Sequence, residues 1–316
     1  MNSLSSLYPA ITALDLRSCL ISQQGTLNFE YYRNQHTVTE LAKINSCTKS
    51  ILSSLICITM DKGLLPQSDT PITAFFPQLK MDNDARKQEI TLEHLLTMSS
   101  GFNWTEFGGQ KSFPLMTKSP HWTNFVLEQT LSDPPGAKME YNSGNSQLLS
   151  AILVQTAGMS TARFAERYLF EPLGIETYNW EIDPQGIHTG GFGLWLRPTD
   201  MLKFGQLYLQ QGTWNNKQLI SRELLAQSVQ PFISVDAPYR GSYGWHWWTD
   251  SVSDPSDMSS APATQYFYAR GYGGQYVYII PSLQTVVVLS DDKPKKKQYS
   301  YDVFRQLIAP TLIHQQ

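Results

Sequence analysis

A serine and a lysine three positions apart could form a nucleophile and the base that activates it. Ser46 and Lys49 open a strongly apolar stretch that carries the 3.6-residue period of a helix. On a helix this spacing puts both side chains on one face, one turn apart. A lysine can take the proton of a serine when desolvation or a nearby cation lowers its pKa. The pair therefore predicts nucleophilic catalysis, while an ordinary N-cap serine followed by a surface lysine is the alternative.

The same four-residue pattern occurs a second time, from Ser290 to Lys293. Here the serine ends a strand-like run, and Pro294 follows the lysine in a polar segment. We interpret this second match as a coincidence of composition, because a short motif carries a high rate of chance matches.

A Tyr-x-Ser sequence precedes another predicted helix. It consists of Tyr141 and Ser143, in a loop that begins at Pro135. A phenol can give or take a proton when a neighbouring ammonium group stabilises its anion. Tyr141 is therefore a candidate acid–base group, with a buried core tyrosine as the alternative interpretation.

A glycine-rich segment leads into a strand near the C-terminus. Gly271 and Gly273 flank Tyr272 there. Glycine allows a substrate carbonyl to approach the backbone closely. A backbone N–H of this segment, together with that of Ser46, could form an oxyanion hole, although a plain β-bulge would have the same composition.

Three such motifs in this order and at these separations resemble the serine β-lactamase and penicillin-binding-protein superfamily. The sequence is most similar to its class-C-like branch of esterases, D-amino peptidases and 6-aminohexanoate-dimer hydrolases. Two further segments, residues 95–102 and 193–212, are similar to family segments, and the resemblance extends over nearly the whole chain.

The resemblance implies a role for each matching residue. Ser46 matches the acylated nucleophile, Lys49 the lysine that activates it, and Tyr141 the tyrosine that shares a proton with that lysine and serves the leaving group. Ser143 stands where the family has asparagine and offers one donor fewer. The oxyanion would be held by the N–H groups of Ser46 and of Tyr272, or of Gly273 if the register slips by one residue. No metal or organic cofactor is implied.

The third motif departs from the family pattern. The family's Lys-Thr-Gly becomes Ala269-Arg270-Gly271, so the lysine that helps to hold a substrate carboxylate is absent. Strand alternation predicts that Arg270 points to the other face of the sheet. This departure favours neutral esters or amides over carboxylate-bearing lactams and D-Ala-D-Ala ends.

Aromatic side chains are candidates for the walls of the substrate pocket. Trp104 and Trp245 are the ones we select, and alternation along residues 243–248 predicts that Tyr243, Trp245 and Trp247 share a face. No histidine lies in a triad-like motif, and there is no Gly-x-Ser-x-Gly elbow. We expect the histidines to be structural or exposed, with His121 and His188 as the first to check.

The elements that must position these residues can be predicted from periodicity and turn signals. We expect a hairpin over residues 11–33 and strands over 266–269, 275–280 and 285–290. We expect helices over 46–62, 91–98, 144–157 and 198–211, the last of these with Thr199 as its N-cap. A final helix should cover 302–313 and be kinked at Pro310. Strands at both ends with helices between them predict an α+β fold, and the resemblance implies that it is of the β-lactamase type. Its antiparallel sheet would come from both termini and be flanked by helices. Residues 1–63 and 191–316 would form one lobe and residues 64–190 a mostly helical second lobe, with the active site in the cleft between them.

Composition excludes several functional classes. The chain has 316 residues, a mass of 35.8 kDa, a net charge of −3 and a pI near 6.1, which argues against nucleic acid as a partner. Its three cysteines fit neither a disulfide framework nor a zinc site. No membrane span is visible, and no secretory signal, so we expect a cytoplasmic protein if the sequence begins at its natural start.

These inferences predict a serine hydrolase that cleaves a small ester or amide through an acyl-enzyme on Ser46. A β-lactamase or D-Ala-peptidase is an alternative, and so is an acyl transferase or peptide cyclase that uses the same residues. A non-catalytic binding or sensor domain on the same scaffold is the alternative from a different class.

Overall fold

An eight-stranded antiparallel sheet forms the centre of the computed structural model, which describes residues 4–107, 112–237, 239–253, 263–292 and 300–314. Its strands lie in the order β2-β1-β13-β12-β11-β10-β9-β8. They are β1 (Ser18–Gln23), β2 (Thr26–Tyr32), β8 (Ile233–Ser234), β9 (Ser242–Tyr243), β10 (Trp248–Val252), β11 (Thr264–Gly271), β12 (Gln275–Ile280) and β13 (Thr285–Ser290).

The two ends of the chain meet in the middle of this sheet. Strand β1 pairs with β13 over six residues, from Ser18 opposite Ser290 to Gln23 opposite Thr285. All residues of β12 and β13 are buried, because helices cover both faces of the sheet there. The predicted α+β architecture, with a sheet built from both termini, is confirmed.

The helices lie on both faces of the sheet and in the segment between its two halves. They are α1 (Tyr8–Ala13), α2 (His36–Thr39), α3 (Thr48–Asp61), α4 (Leu92–Leu96), α5 (Phe113–Met116), α6 (Trp122–Leu127), α7 (Ser143–Ala157), α8 (Thr161–Ala165), α9 (Glu171–Leu173), α10 (Pro198–Leu209), α11 (Arg222–Ser228), α12 (Ser300–Val303) and α13 (Ala309–Ile313). Single 3₁₀ turns occur at Leu4–Leu7, Asn45–Cys47, Ile72–Ala74, Pro77–Met81, Ala85–Glu89 and Pro281–Leu283, and π turns at Glu166–Phe170 and Phe304–Ile308.

Alternation along the central strands divides the apolar residues into two cores. Val286 and Val288 of β13 face the core that contains α3, α7 and α10, whereas Val287 faces the core that contains α1 and the C-terminal helices. Helix α10 lies so close to the sheet that a Cβ on Gly205 would stand 2.5 Å from Cγ1 of Val286. The buried helix α3, which starts beside the nucleophile candidate, is thus held in the first core.

Two small sheets complete the strands. Strands β3 (Ala42–Lys43), β5 (Leu194–Leu196) and β4 (Asn179–Trp180) form one sheet in the order β3-β5-β4, and β6 (Thr213–Trp214) pairs with β7 (Lys217–Gln218). The N–H of Ile44 donates to the carbonyl of Leu194 over 2.9 Å. The first of these sheets therefore brings the chain before β5 close to the start of α3.

Two expectations about local structure were wrong in detail. The first hairpin starts at Ser18, because Pro9 is placed in the first turn of a helix, α1, and Asp15 takes a left-handed φ of +49° between that helix and β1. The N-cap of α10 is Arg197 and not Thr199, since Pro198 occupies the first turn. The predicted last helix is present from Ser300 to Ile313, and before Pro310 it widens to a π turn, in which the N–H of Ala309 donates to the carbonyl of Phe304. The kink at Pro310 remains a prediction.

No helix in the described part of the chain is both long enough and apolar enough to span a membrane. The division into the two lobes of residues 1–63 with 191–316 and of residues 64–190 remains a prediction.

Candidate active site

Ser46 lies in the 3₁₀ turn that leads into α3, where its side chain is partly exposed. Asn45 before it adopts a left-handed φ of +49°, a conformation that asparagine tolerates better than most residues. The backbone carbonyl of Asn45 accepts a 2.6 Å hydrogen bond from Oγ1 of Thr48. The side-chain Nδ2 of Asn45 donates to the carbonyl of Tyr272 over 2.7 Å. The turn thus holds Ser46 beside the end of β11.

Lys49 is fully buried one turn further along and faces Ser46. Its Nζ lies 3.3 Å from Oγ of Ser46, 2.8 Å from Oγ of Ser143 and 2.9 Å from the carbonyl oxygen of Gly191. Burial lowers the pKa of Lys49 to about 8, against an opposing effect of the negative charge on Glu106. A substantial fraction of this lysine is therefore a neutral amine in mildly alkaline solution, which is the state that a general base requires.

Tyr141 lies against this pair, just before α7. The ring of Tyr141 is 4.7 Å from Nζ of Lys49 and stacks on Trp248. Burial raises the pKa of the Tyr141 phenol well above its usual range, while its hydrogen-bond interaction with Ser46 and the charge on Arg270 lower it. Tyr141 is thus a protonated phenol next to Ser46, and the charge on Arg270 favours its anion.

Ser143 occupies the first position of α7 and joins Lys49 to a residue that we did not identify from the sequence. Oγ of Ser143 makes a short hydrogen bond with Oε1 of Glu106, and its backbone N–H donates to Oε2 of Glu106 over 2.9 Å. Oε2 also accepts from Nε1 of Trp104 over 2.8 Å. A single glutamate in a loop belongs to no sequence pattern. Its position two residues after Trp104, which we selected as a pocket residue, was the one signal in the sequence that could have indicated Glu106.

The end of β11 passes very close to the 3₁₀ turn that contains Ser46. A Cβ on Gly271 would collide with the carbonyl oxygen of Ile44 and lie 3.2 Å from the backbone nitrogen of Ser46. Only glycine fits at this crossing, because backbone atoms cannot move aside as a flexible side chain can. Tyr272 and Gly273 follow directly and are partly or fully exposed. The two N–H groups expected to hold an oxyanion therefore lie on neighbouring segments, although their role remains a prediction.

Arg270 stacks on two rings beside this site. Its guanidinium carbon lies 5.1 Å from the ring centroid of Tyr239 and 5.7 Å from that of Trp248. Ala269 packs in the core that contains α3, whereas Trp248 belongs to the other core, so Arg270 and Ala269 lie on opposite faces as alternation predicts. The charge of Arg270 nevertheless reaches the Tyr141 phenol and lowers its pKa.

The two selected tryptophans have different surroundings. Trp104 is almost completely buried and lines, with Phe107 and Tyr239, a pocket of about 380 Å³ that includes Tyr141 and Glu106. Trp245 does not line it: this ring is fully buried and stacks on Phe232 at 6.1 Å. We therefore correct the assignment of Trp245 to substrate binding.

The alternation on which that assignment depended does not hold over residues 243–248. Strand β9 ends at Tyr243, and β10 begins only at Trp248. Tyr243 pairs with Trp248, so residues 244–247 form the turn between these two antiparallel strands, and His246 takes a left-handed φ of +60° within it. Tyr243 consequently belongs to one core, and Trp245 and Trp247 to the other.

The histidines have no part in this constellation. His246 is buried behind it, with Nδ1 2.8 Å from the carbonyl of Leu96 and Nε2 3.0 Å from Oγ of Ser146. Burial lowers the pKa of His246 to about 3, so it is a neutral structural residue. His121 and His188 make no hydrogen bond or ring contact with Ser46, Lys49 or Tyr141 among the described residues.

The second Ser-x-x-Lys match is a structural feature. Ser290 ends β13 in the middle of the sheet, fully buried, and its hydroxyl pairs with that of Ser18 at 2.6 Å. Lys293 lies outside the described residues.

The fold and the site can be compared with known proteins. A profile of the Beta-lactamase family matches residues 19–306. A protein from Bacillus anthracis assigned as a 6-aminohexanoate-dimer hydrolase has a similar structure, with a TM-score of 0.80 and 19% identity over 98% of this chain and 82% of that one. A protein from Bacteroides dorei assigned as a beta-lactamase gives a TM-score of 0.80 at 17% identity, over 99% of both chains. A class C beta-lactamase from Rhodobacter sphaeroides gives 0.71 at 15% identity, over 98% of both chains. Since the family profile covers most of the sequence, this chain belongs to the Beta-lactamase family.

Proposed function

We propose that this protein is a serine hydrolase that cleaves a small ester or amide through an acyl-enzyme on Ser46. The observation that carries the proposal is the position of Lys49, whose buried Nζ lies 3.3 Å from Oγ of Ser46. Burial also lowers the pKa of Lys49 to about 8, and a lysine with a lowered pKa beside a serine is typical of catalytic sites, which favours an enzyme over a domain that only binds a ligand.

Acylation begins with the transfer of the Ser46 proton to the neutral amine of Lys49. Oγ of Ser46 attacks the carbonyl carbon, and the carbonyl oxygen becomes an oxyanion that accepts hydrogen bonds from the N–H groups of Ser46 and Tyr272. The bond to the leaving alcohol or amine then breaks. The leaving group takes the phenolic proton of Tyr141, and the Lys49 ammonium returns a proton to that phenolate.

Deacylation repeats these transfers with water as the nucleophile. Lys49 and Tyr141 take one proton of the water as its oxygen bonds to the acyl carbon. The Ser46 ester bond breaks, and Oγ of Ser46 recovers a proton from the same pair. The free acid leaves, and the enzyme has its initial proton distribution again.

The absence of a cleft lysine at residue 269 supports neutral substrates over lactams with a carboxylate. Ala269 stands there, buried in the core that contains α3. A charge-assisted hydrogen bond to a substrate carboxylate from this position is therefore impossible. One of the similar structures is assigned as a hydrolase of a 6-aminohexanoate dimer, which is consistent with amide cleavage on this fold.

Intact-mass spectrometry after incubation with a fluorophosphonate tests the proposal. The reagent should add once to the wild-type protein, at Ser46, and the adduct should be absent from Ser46→Ala. Ser290→Ala, which removes the serine of the second motif, is the matched control and should be labelled like the wild type. Folded wild-type protein that takes no adduct would contradict the proposal.

Substrate screening then separates the enzymatic alternatives. We expect hydrolysis of short-chain p-nitrophenyl esters or of anilides to depend on Ser46, with a larger kcat/KM than for nitrocefin. A kcat/KM for nitrocefin equal to that for esters would favour the β-lactamase alternative instead.

A further inference from the structure

The Glu106 carboxylate accepts hydrogen bonds in a fixed pattern. Its Oε2 lies 2.9 Å from the backbone nitrogen of Ser143 and 2.8 Å from Nε1 of Trp104. Both of these groups can only donate, so Oε2 can only accept. The second oxygen, Oε1, makes a short hydrogen bond with the hydroxyl of Ser143. In the carboxylate form, Oε1 also has no proton to give, and the Ser143 hydroxyl must donate to it.

This donation determines the hydrogen bond between Ser143 and Lys49. A serine hydroxyl has one proton, and here that proton is used on Glu106. Oγ of Ser143, 2.8 Å from Nζ of Lys49, must therefore accept from the lysine. The carbonyl of Gly191, at 2.9 Å from the same nitrogen, can also only accept.

The neutral amine of Lys49 has two N–H donors and one lone pair. Its three nearest polar neighbours are Oγ of Ser143, the carbonyl of Gly191 and Oγ of Ser46. The first two take both donors, so the lone pair is left for the Ser46 hydroxyl. From this geometry we infer that Glu106 is a positioning residue, which acts through Ser143 to keep the lone pair of Lys49 directed at Ser46.

This inference rests on the proposed function and goes beyond it, because Glu106 touches neither the nucleophile nor its base. The other charged or titratable groups around Lys49 do not set this direction. Cys47 is a buried thiol that contacts the carbonyl of Gln275, Tyr141 presents its ring face, and His246 is neutral. Among the described groups that affect the pKa of Lys49, Glu106 is the one that is linked to Nζ through a hydrogen-bonded hydroxyl.

The variant Glu106→Gln should reverse the direction of the hydrogen bonds that run from residue 106 through Ser143 to Lys49, with almost no change in side-chain shape. The amide oxygen must occupy the Oε2 position, because the N–H groups of Ser143 and Trp104 both require an acceptor there. The amide NH₂ then faces Oγ of Ser143 and donates to it. The Ser143 proton turns towards the lone pair of Lys49, and the amine presents an N–H to Ser46 in place of its lone pair.

The test is a double-mutant cycle on the rate of fluorophosphonate labelling of Ser46, over a range of pH. Glu106→Gln should lower the rate constant about 100-fold, in the range of a lost general base. Ser143→Ala should lower it only about 10-fold, because the Lys49 lone pair remains free. The double variant should react like Ser143→Ala alone, about 10-fold faster than Glu106→Gln, since removing the Ser143 hydroxyl removes the donor that captures the lone pair.

Two further variants control for charge and for folding. Glu128→Gln removes the same charge from an exposed position and should leave the rate unchanged. Glu106→Asp keeps an acceptor carboxylate and should retain more activity than Glu106→Gln, although it is the less isosteric change. In Glu106→Gln the pH midpoint of labelling should also move to lower pH, because the negative charge on Glu106 raises the pKa of Lys49.

The outcomes distinguish this inference from the proposed function. Wild-type protein that takes no label overturns both. Normal labelling of the wild type with an equal rate for Glu106→Gln overturns the role of Glu106 alone. A double variant slower than Glu106→Gln would indicate a merely structural glutamate and overturn it as well.

Discussion

Nδ2 of Asn45 donates a 2.7 Å hydrogen bond to the carbonyl oxygen of Tyr272, which joins the 3₁₀ turn that contains Ser46 to the turn between β11 and β12. Asn45 also holds the left-handed φ of +49° directly before Ser46. One side chain thus supports both backbone segments from which the oxyanion donors are expected. The relative position of the two N–H groups depends on this contact.

Substitutions at Asn45 should separate its hydrogen bond from its backbone conformation. Asn45→Asp tolerates a positive φ but cannot donate to a carbonyl. We expect kcat/KM for an ester to fall about 30-fold, less than the roughly 100- to 1000-fold lost when an oxyanion-hole donor is removed outright. Asn45→Gly adopts the same φ freely and lacks the side chain altogether, and it should lose less, since it brings no carboxylate towards the carbonyl. Equal activities for Asn45→Asp and wild type would show that the contact does not matter.

The pH dependence of kcat/KM should report the neutral fraction of Lys49. Burial lowers the pKa of this lysine to about 8, and the base must be neutral to accept the Ser46 proton. Activity should therefore increase about tenfold per pH unit well below pH 8 and level off above it. Steady-state kinetics with a p-nitrophenyl ester, corrected for the hydrolysis rate of Ser46→Ala, would measure this limb.

Lys49→Arg is the matching variant for this limb. The guanidinium stays protonated at all accessible pH values, so the base is lost while the positive charge remains. We expect kcat/KM to fall by about a thousandfold, with no increase between pH 7 and 9. If kcat/KM of Lys49→Arg still increased with pH as in the wild type, the titration would belong to another group.

Much of this arrangement could be predicted from the sequence because it is local. The strands and helices around Ser46, Lys49 and Tyr141 follow from apolar periodicity and from glycine and proline breaks, and their observed bounds differ from the predicted ones by a few residues. The three motifs could be recognised because each is a short pattern of fixed spacing. Helix α3 and strands β12 and β13 follow the most regular of these patterns.

The remainder depends on contacts between distant segments. Glu106 reaches Ser143 from a loop 37 residues earlier, and no periodicity describes that approach. Trp245 could not be placed, because alternation assumes a continuous strand, and residues 244–247 are instead the turn between β9 and β10. Chain reversals of this kind are decided by tertiary packing and not by local propensity.

Tyr141→Phe should affect amides more than activated esters. In the proposed mechanism the Tyr141 phenol protonates the leaving group. An amine leaves only with a proton, whereas p-nitrophenolate leaves without one. We expect kcat/KM to fall about 1000-fold for an anilide and about 10-fold for a p-nitrophenyl ester. Equal losses for both substrates would assign Tyr141 to activation of Ser46 and not to the leaving group.

Gly271→Ala should disturb both stability and catalysis, because the added methyl group meets the carbonyl of Ile44 and the nitrogen of Ser46. A backbone clash of this kind costs about 1–3 kcal/mol of unfolding free energy. The control is Gly158→Ala at the end of α7, where φ is +64° and no atom lies within 4 Å. Gly158→Ala should lose about 1 kcal/mol of unfolding free energy through backbone strain alone and keep full activity. Unfolding in urea and ester hydrolysis would measure both effects, and full activity in Gly271→Ala would exclude the close crossing.

The buried His246 should make the protein sensitive to acid. Burial lowers its pKa from 6.5 to about 3, so between these values the unfolded chain binds a proton that the folded chain does not. Stability must then decrease as the pH falls through this window, by up to about 5 kcal/mol for this one group. His246→Asn suits the left-handed φ of +60° and does not titrate. It loses the contact with Ser146, and we expect it to be about 2 kcal/mol less stable than wild type near pH 7.

The same variant should lose less stability on acidification, so the difference from wild type should shrink or reverse near pH 4. Urea unfolding of both proteins across this range would measure it. Parallel stability curves would mean that His246 is protonated in the folded state, and the neutral pairing with Leu96 and Ser146 would then be wrong.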